Sequence, residues 1–225
     1  GMFEQEALEV LKDIFQRNDT AIMTGGSGLY INAVCHGIDA LPKPDPAVRE
    51  NLLEQYDHEG LQGIRQRLKM LDPASYRQLD LMNPKRILKA LEITLTTGKP
   101  YSTFLTSQRK ERPFNILKVG LNRERNELYE RINQRVDQMI EQGLVEEARS
   151  FYSDKHLNAL NTVGYKELFS YFDGEIPLRE AIRLIKRNTR RYAKRQITWF
   201  SRDQEITWFH PAEYDKILRF IRDHV

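Results

Sequence analysis

The chain has 225 residues, 40% hydrophobic and 30% charged, with 35 Lys and Arg against 32 Asp and Glu and a formal net charge of +3. That composition supports one substantial core, or a core with a small second module. No run reaches the roughly 18 to 20 apolar residues of a membrane span, and the basic-then-apolar layout of a signal peptide is missing, so a cytoplasmic, non-membrane protein is expected. The single cysteine, Cys35, excludes an internal disulfide, and with the five histidines it forms no zinc spacing.

In chain order, Phe3, Ala7, Leu8, Leu11 and Phe15 lie on one helical stripe, and the apolar "TAIM" that follows reads as a buried strand. "TGGSG" then turns the chain into a helix through "GLYINAVCH", with Ser27 as its N-cap and Gly37 as its stop. Pro42, Pro44 and Pro46 break the pattern and mark a boundary near Lys43. Beyond it the periodicity is helical only, with helices expected over 46–56, 60–70, 73–79 and 84–96. A strand-like run returns at "FNILKVGL". It leads into one long amphipathic helix with Leu128, Ile132, Val136, Ile140 and Leu144 on one face. Three parts are expected: an α/β part over 1–44, a helical insertion over 45–112 and a second α/β part over 113–225.

The glycine junction offers helix N-terminal amides and room for close approach, yet neither it nor "TTGKP" has the glycine-lysine spacing of a phosphate loop. A binding turn and a structural turn stay open. In the long helix Glu127 stands four residues before Arg131 and is expected to pair with it. Arg135 has Arg131, Ile132, Gln138 and Met139 as its helical neighbours, so no local acid holds its guanidinium. A free arginine beside an apolar stripe suits a pyrophosphate.

The strongest electrostatic signal runs from Arg179 to Arg202, nine basic residues with one acid, Glu180. Ile182, Ile185, Tyr192 and Trp199 are expected on the inward stripe, with Arg183, Arg187, Arg190 and Lys194 on a cationic face. Such a helix suits phosphates, and the aromatics of "QITWF" suit either a core or a base.

Taken in order, "TGGSGLY" with "LPKPDPAVR", "NPKRILKALEI", "LYERINQRVDQM", "VGYKEL" and "AKRQITWF" resemble one family, the tRNA dimethylallyltransferases, also called tRNA isopentenyltransferases. The resemblance covers nearly the whole chain from Thr20 to Phe200. It implies an α/β fold: a phosphate-loop NTPase-like parallel-sheet core, incomplete here, with a mainly helical insertion domain that embraces the anticodon stem. The implied reaction moves a dimethylallyl group from dimethylallyl diphosphate to the exocyclic amine of the adenosine just 3′ of a tRNA anticodon. By the same resemblance Arg135 is the catalytic arginine on the diphosphate. Ser27, where the family usually has threonine, and Arg49 contact the tRNA. So do Lys85, Arg86, Ile87, Leu88 and Lys89; Asn161, Thr162, Val163, Gly164, Tyr165 and Lys166; and Lys194, Arg195, Gln196, Ile197, Thr198, Trp199, Phe200 and Ser201. Many relatives have arginine at the positions of Asn161 and Lys89.

The family's phosphate loop and its aspartate base have no counterpart in these 225 residues. The expectation is therefore a fragment with a tag-derived Gly1, inactive alone, from a parent that is a monomer and uses magnesium through a ligand outside this chain. Two other readings stay open: a phosphate-loop nucleoside or nucleotide kinase, and a non-catalytic RNA-binding adaptor.

Overall fold

Three helices in the first half of the chain start with the same device, an Asp or Asn cap followed by proline at the first helical position. Asp45 accepts from the Ala47 amide at 2.9 Å to open α3 (Pro46–Leu71), Asp72 from Ser75 at 3.0 Å to open α4 (Pro73–Gln78), and Asn83 from Arg86 at 3.3 Å to open α5 (Pro84–Thr97). Two helices precede them, α1 (Met2–Phe15) and α2 (Gly28–His36). The computed structural model describes residues 1–106 and 108–225. No helix among them is long and apolar enough to cross a membrane.

The described chain divides into two compact units. The first holds Gly1–Ala21 and Leu29–Phe114. Its α3 kinks at Gly60, where φ is +65°, so the helices expected over 46–56 and 60–70 are the two arms of one element. Leu52, Ile64, Leu68, Ile87, Ala90 and Leu91 close the core between α3 and α5. The buried Asp72 carboxylate accepts from Ser75 Oγ at 2.6 Å and from Ser102 N and Oγ at 2.8 and 2.7 Å, which fixes the turn Tyr101–Phe104 to the start of α4.

A second buried carboxylate ties the ends of this unit together. Arg112 Nη2 donates to Glu4 Oε1 and to the Ala33 carbonyl, both at 2.8 Å, and its Nε donates to the Val34 carbonyl at 2.8 Å. One guanidinium thus caps the last turn of α2 and neutralises an acid of α1.

The second unit holds Ile22–Gly28 and Asn115–Val225. Here β1 (Lys118–Leu121) pairs in parallel with β2 (Ile206–Phe209), Lys118 opposite Ile206 and Leu121 opposite Phe209. The crossover between them carries α6 (Arg125–Glu141), α7 (Leu144–Ser150), α8 (Tyr165–Phe172) and α9 (Leu178–Phe200), and α10 (Tyr214–Arg222) follows. Val136, Leu144, Ala148, Leu168, Phe169, Ala181 and Ile185 form the core.

Three expectations need correction. "TAIM" forms no strand among the described residues: β1 and β2 pair only with each other, and Ile22 is 86% exposed. A short apolar run without a ladder partner has nothing to satisfy its backbone. The single long helix is two, α6 and α7, because Gly143 takes φ +100°, a conformation glycine adopts without steric cost. Leu144 still joins the core, from the second helix. Finally, Tyr192 and Trp199 do not continue the inward stripe of Ile182 and Ile185, since they are 44% and 37% exposed.

Burial pushes the Glu4 carboxyl up, but hydrogen bonds from Arg112 and Lys110 outweigh it and hold its pKa at about 2, against an ordinary 4.5. A depressed carboxylate stabilises the fold above its unfolded pKa and loses that contribution as pH falls through the folded one. Thermal unfolding should therefore show a stability loss between about pH 4.5 and pH 2 that is smaller in Glu4→Gln. At pH 7 that variant should be less stable by about 3 kcal/mol. Parallel pH curves for the two proteins would contradict this account of the clamp.

Candidate functional site

The basic helix α9 splits its cations into two groups. Arg183 is bound to Glu180 at 2.7 and 2.6 Å, Lys186 to Asp137 of α6 at 2.7 Å, and Arg190 to Asn133 of α6. Arg187 reaches Asn188 Oδ1 at 3.4 Å. Lys186 and Arg190 thus hold α9 to α6, while Arg183 and Arg187 are bonded within α9 itself. Toward the C-terminal end, Arg191, Lys194 and Arg195 are exposed and have no carboxylate partner among the described residues. Arg195 lies over the exposed Tyr192 ring, 5.7 Å from its centroid.

On α6 the expected Glu127–Arg131 pair does not form. Glu127 is taken by Arg123 and by His210, whose Nε2 is 3.2 Å from Oε2, and those two contacts hold its carboxyl below the usual range. Arg131 is therefore left, with Arg135, exposed and without an ion pair or side-chain hydrogen bond among the described residues. The two guanidinium groups stand one helical turn apart on the same face of α6. The acid expected for Arg131 has two competitors, Arg123 four residues before it and His210 83 residues away.

The glycine junction meets the end of α9 directly. Gln196 Nε2 donates to the Gly26 carbonyl at 2.9 Å, the only hydrogen bond that the described residues give the segment 20–27. A Cβ on Gly28 would stand 2.1 Å from Trp199 Nε1 and 2.3 Å from Cδ1, so only glycine admits the indole there. Ser27, half-buried, stands just before α2 and is carried by the same contact. The residues on either side of Ser27, Gly26 and Gly28, thus meet Gln196 and Trp199. Lys194, Thr198 and Ser201 are exposed nearby, while Ile197 and Phe200 are half-buried.

The segment 161–166 is tied to α9 by a residue the sequence reading passed over. Glu167 is 6% exposed; its Oε2 accepts from the Gly164 amide at 2.8 Å and its Oε1 from Asn188 Nδ2 at 2.6 Å. A Glu at the third position of a helix is a capping signal that could have found it. Asn161, Thr162, Val163 and Lys166 are exposed. Gly164 is not available as implied, because it is buried with its amide already bonded, and the Tyr165 hydroxyl donates to Glu147.

In the first unit Lys85 and Arg86 are exposed and Lys89 is half-buried on α5. Ile87 corrects the sequence reading: it is 0% exposed and belongs to the core, with Leu88 packed against that core, so the Ile87 side chain cannot meet RNA. Helical periodicity turns one residue in such a run inward. Arg49 Nη1 lies 3.1 Å from Glu92 Oε1 with its own side chain 60% exposed.

Fold and surface define a mainly helical α/β protein with groups of exposed cations that have no acid partner among the described residues. Residues 1–203 match the family model described as IPP transferase, and the chain belongs to that family. It is 54% identical over 222 residues to tRNA dimethylallyltransferase 1 of Bacteroides thetaiotaomicron, covering 99% of this chain and 72% of the relative. To tRNA dimethylallyltransferase of Christiangramia forsetii it is 50% identical, over 100% of this chain and 74% of the relative. Among solved structures, the full-length tRNA isopentenylpyrophosphate transferase of Bacillus halodurans matches with TM-score 0.64 and 36% identity, over 98% of this chain and 70% of that one. A eukaryotic dimethylallyltransferase acting on tRNA matches with TM-score 0.67 and 25% identity, over 88% of this chain and 51% of that one.

Gly28→Ala should displace the Trp199 indole, whereas a Cβ on Gly25 meets nothing within 4 Å. With Trp208 replaced by Phe, Trp199 is the sole tryptophan. Its emission should shift to the red in Gly28→Ala and stay unchanged in Gly25→Ala; equal spectra for both variants would contradict the contact.

Proposed function

We propose that this chain serves transfer of a dimethylallyl group from dimethylallyl diphosphate to the exocyclic amine of the adenosine 3′-adjacent to the anticodon of a tRNA. The amine nitrogen bonds to the allylic carbon, the carbon–oxygen bond to the diphosphate breaks, and the amine proton passes to a base. Pyrophosphate leaves with the bonding electrons. The observation that carries the reading is Arg131 and Arg135, exposed and unpaired among the described residues, on the helix that packs against the basic α9. Fixed guanidinium groups stabilise charge as it develops on the leaving group. The unpaired end of α9, with Ser27 and the segment 161–166, is the surface proposed for the anticodon stem-loop and its extruded base.

Magnesium is expected with the diphosphate, but the residues that carry this reading are cations and do not fit its oxygen-ligand shell. No step is assigned to it. A second reading, an RNA-binding adaptor, is favoured by the exposed Arg191, Lys194 and Arg195, which have no carboxylate partner among the described residues. Label transfer from dimethylallyl diphosphate to an anticodon stem-loop decides between them, run on these residues and on the natural full-length polypeptide. Incorporation that requires the adenosine supports the transferase; tight binding without incorporation by the full-length polypeptide supports the adaptor.

In the full-length polypeptide, Arg135→Ala should lower transfer far more than stem-loop affinity. An equal loss of both would move the arginine to the RNA surface. Lys194→Ala combined with Arg195→Ala should weaken RNA binding and flatten the slope of log K against log salt by about 2. An unchanged slope would remove that end of α9 from the interface.

A further inference from the structure

On α5, Lys85, Lys89 and Glu92 follow at intervals of four and three and share one helix face. Glu92 is 3% exposed, its Oε1 is bound to Arg49 Nη1 at 3.1 Å, and its Oε2 is buried with no hydrogen-bond partner among the described residues. Such a group costs stability: a buried carboxylate with an orphan oxygen is worse than an apolar side chain of similar size. The fold does not need the charge for packing, because Ala90, Leu91 and Ile93 around it are fully buried and apolar. What the carboxylate does achieve is to pin one nitrogen of a guanidinium whose side chain is 60% exposed. The remaining N–H donors of Arg49 are left for an outside acceptor.

We propose that Glu92 is a positioning residue for RNA binding: it orients Arg49 so that this guanidinium, with Lys85 and Lys89 on the same face, grips a backbone phosphate of the stem. The proposal rests on the RNA-directed reading of Arg49 given above. It predicts a sign that plain electrostatics does not. Removing a negative charge beside a polyanion site should strengthen binding by Coulomb attraction alone. If orientation is the role, removing it weakens binding instead.

The test measures affinity of the full chain for an anticodon stem-loop by fluorescence anisotropy, across a salt series, alongside thermal unfolding. Glu92→Gln should raise Kd several-fold and lower the salt slope by about 1. Glu92→Leu should weaken RNA binding equally while its Tm stays level or rises, which a merely structural role would not produce. Arg49→Ala should weaken binding as much, and adding Glu92→Gln to it should change nothing further. Unchanged or tighter binding in Glu92→Gln, additive effects of the two substitutions, or RNA affinity that falls in step with Tm in Glu92→Leu would each overturn the proposal. Failure of the unaltered chain to bind the stem-loop would instead overturn the RNA-directed reading together with it.

Discussion

A carboxylate that holds a cation inside the protein withholds it from an external anion, and in this chain the placement of acids decides which basic residues remain available. Glu4 takes Lys110 and Arg112, Glu180 takes Arg183, Asp137 takes Lys186, and Glu127 takes Arg123 with His210. Among the cations that the described residues leave without an acid partner, three groups stand out. Arg131 and Arg135 stand on α6, Arg191, Lys194 and Arg195 on the end of α9, and Lys85 and Arg86 on α5. A net charge of only +3 thus hides local surfaces on which a polyanion meets little competition.

Those surfaces are held by contacts that cost little chain. Gly26 and Gly28 let Gln196 and Trp199 come to the backbone of the junction, and the two oxygens of Glu167 join the segment before α8 to Asn188 of α9. Asn133 and Asp137 fasten α9 to the helix that carries the two free arginines. The helices that carry these cations are therefore joined to each other and to the junction before any ligand arrives, and a preorganised scaffold loses less free energy on binding.

Much of this was legible in the sequence where a local rule applies. The Asx-Pro pairs placed the starts of α3, α4 and α5 because a cap and a fixed proline φ act within one turn. Ordered motifs led to the family. What was lost depended on distant partners. "TAIM" looked like a strand because its composition says nothing about whether a neighbour is there to pair with it. Arg131 looked paired, although Arg123 competes locally for Glu127 and His210 reaches the same carboxylate from far along the chain. Ile87 was included in an RNA-facing run although its register turns it into the core. The orphan oxygen of Glu92 has no signature in sequence at all, since burial creates it.

The most direct test of the division between spent and free cations is lysine footprinting: acetylation with and without an anticodon stem-loop, read by mass spectrometry. Lys85, Lys89, Lys166 and Lys194 should be protected by the RNA. Lys155 and Lys216, held by Asp173 and Glu213, should react equally in both samples. Protection of Lys155 and Lys216 with no protection of Lys166 and Lys194 would contradict the account.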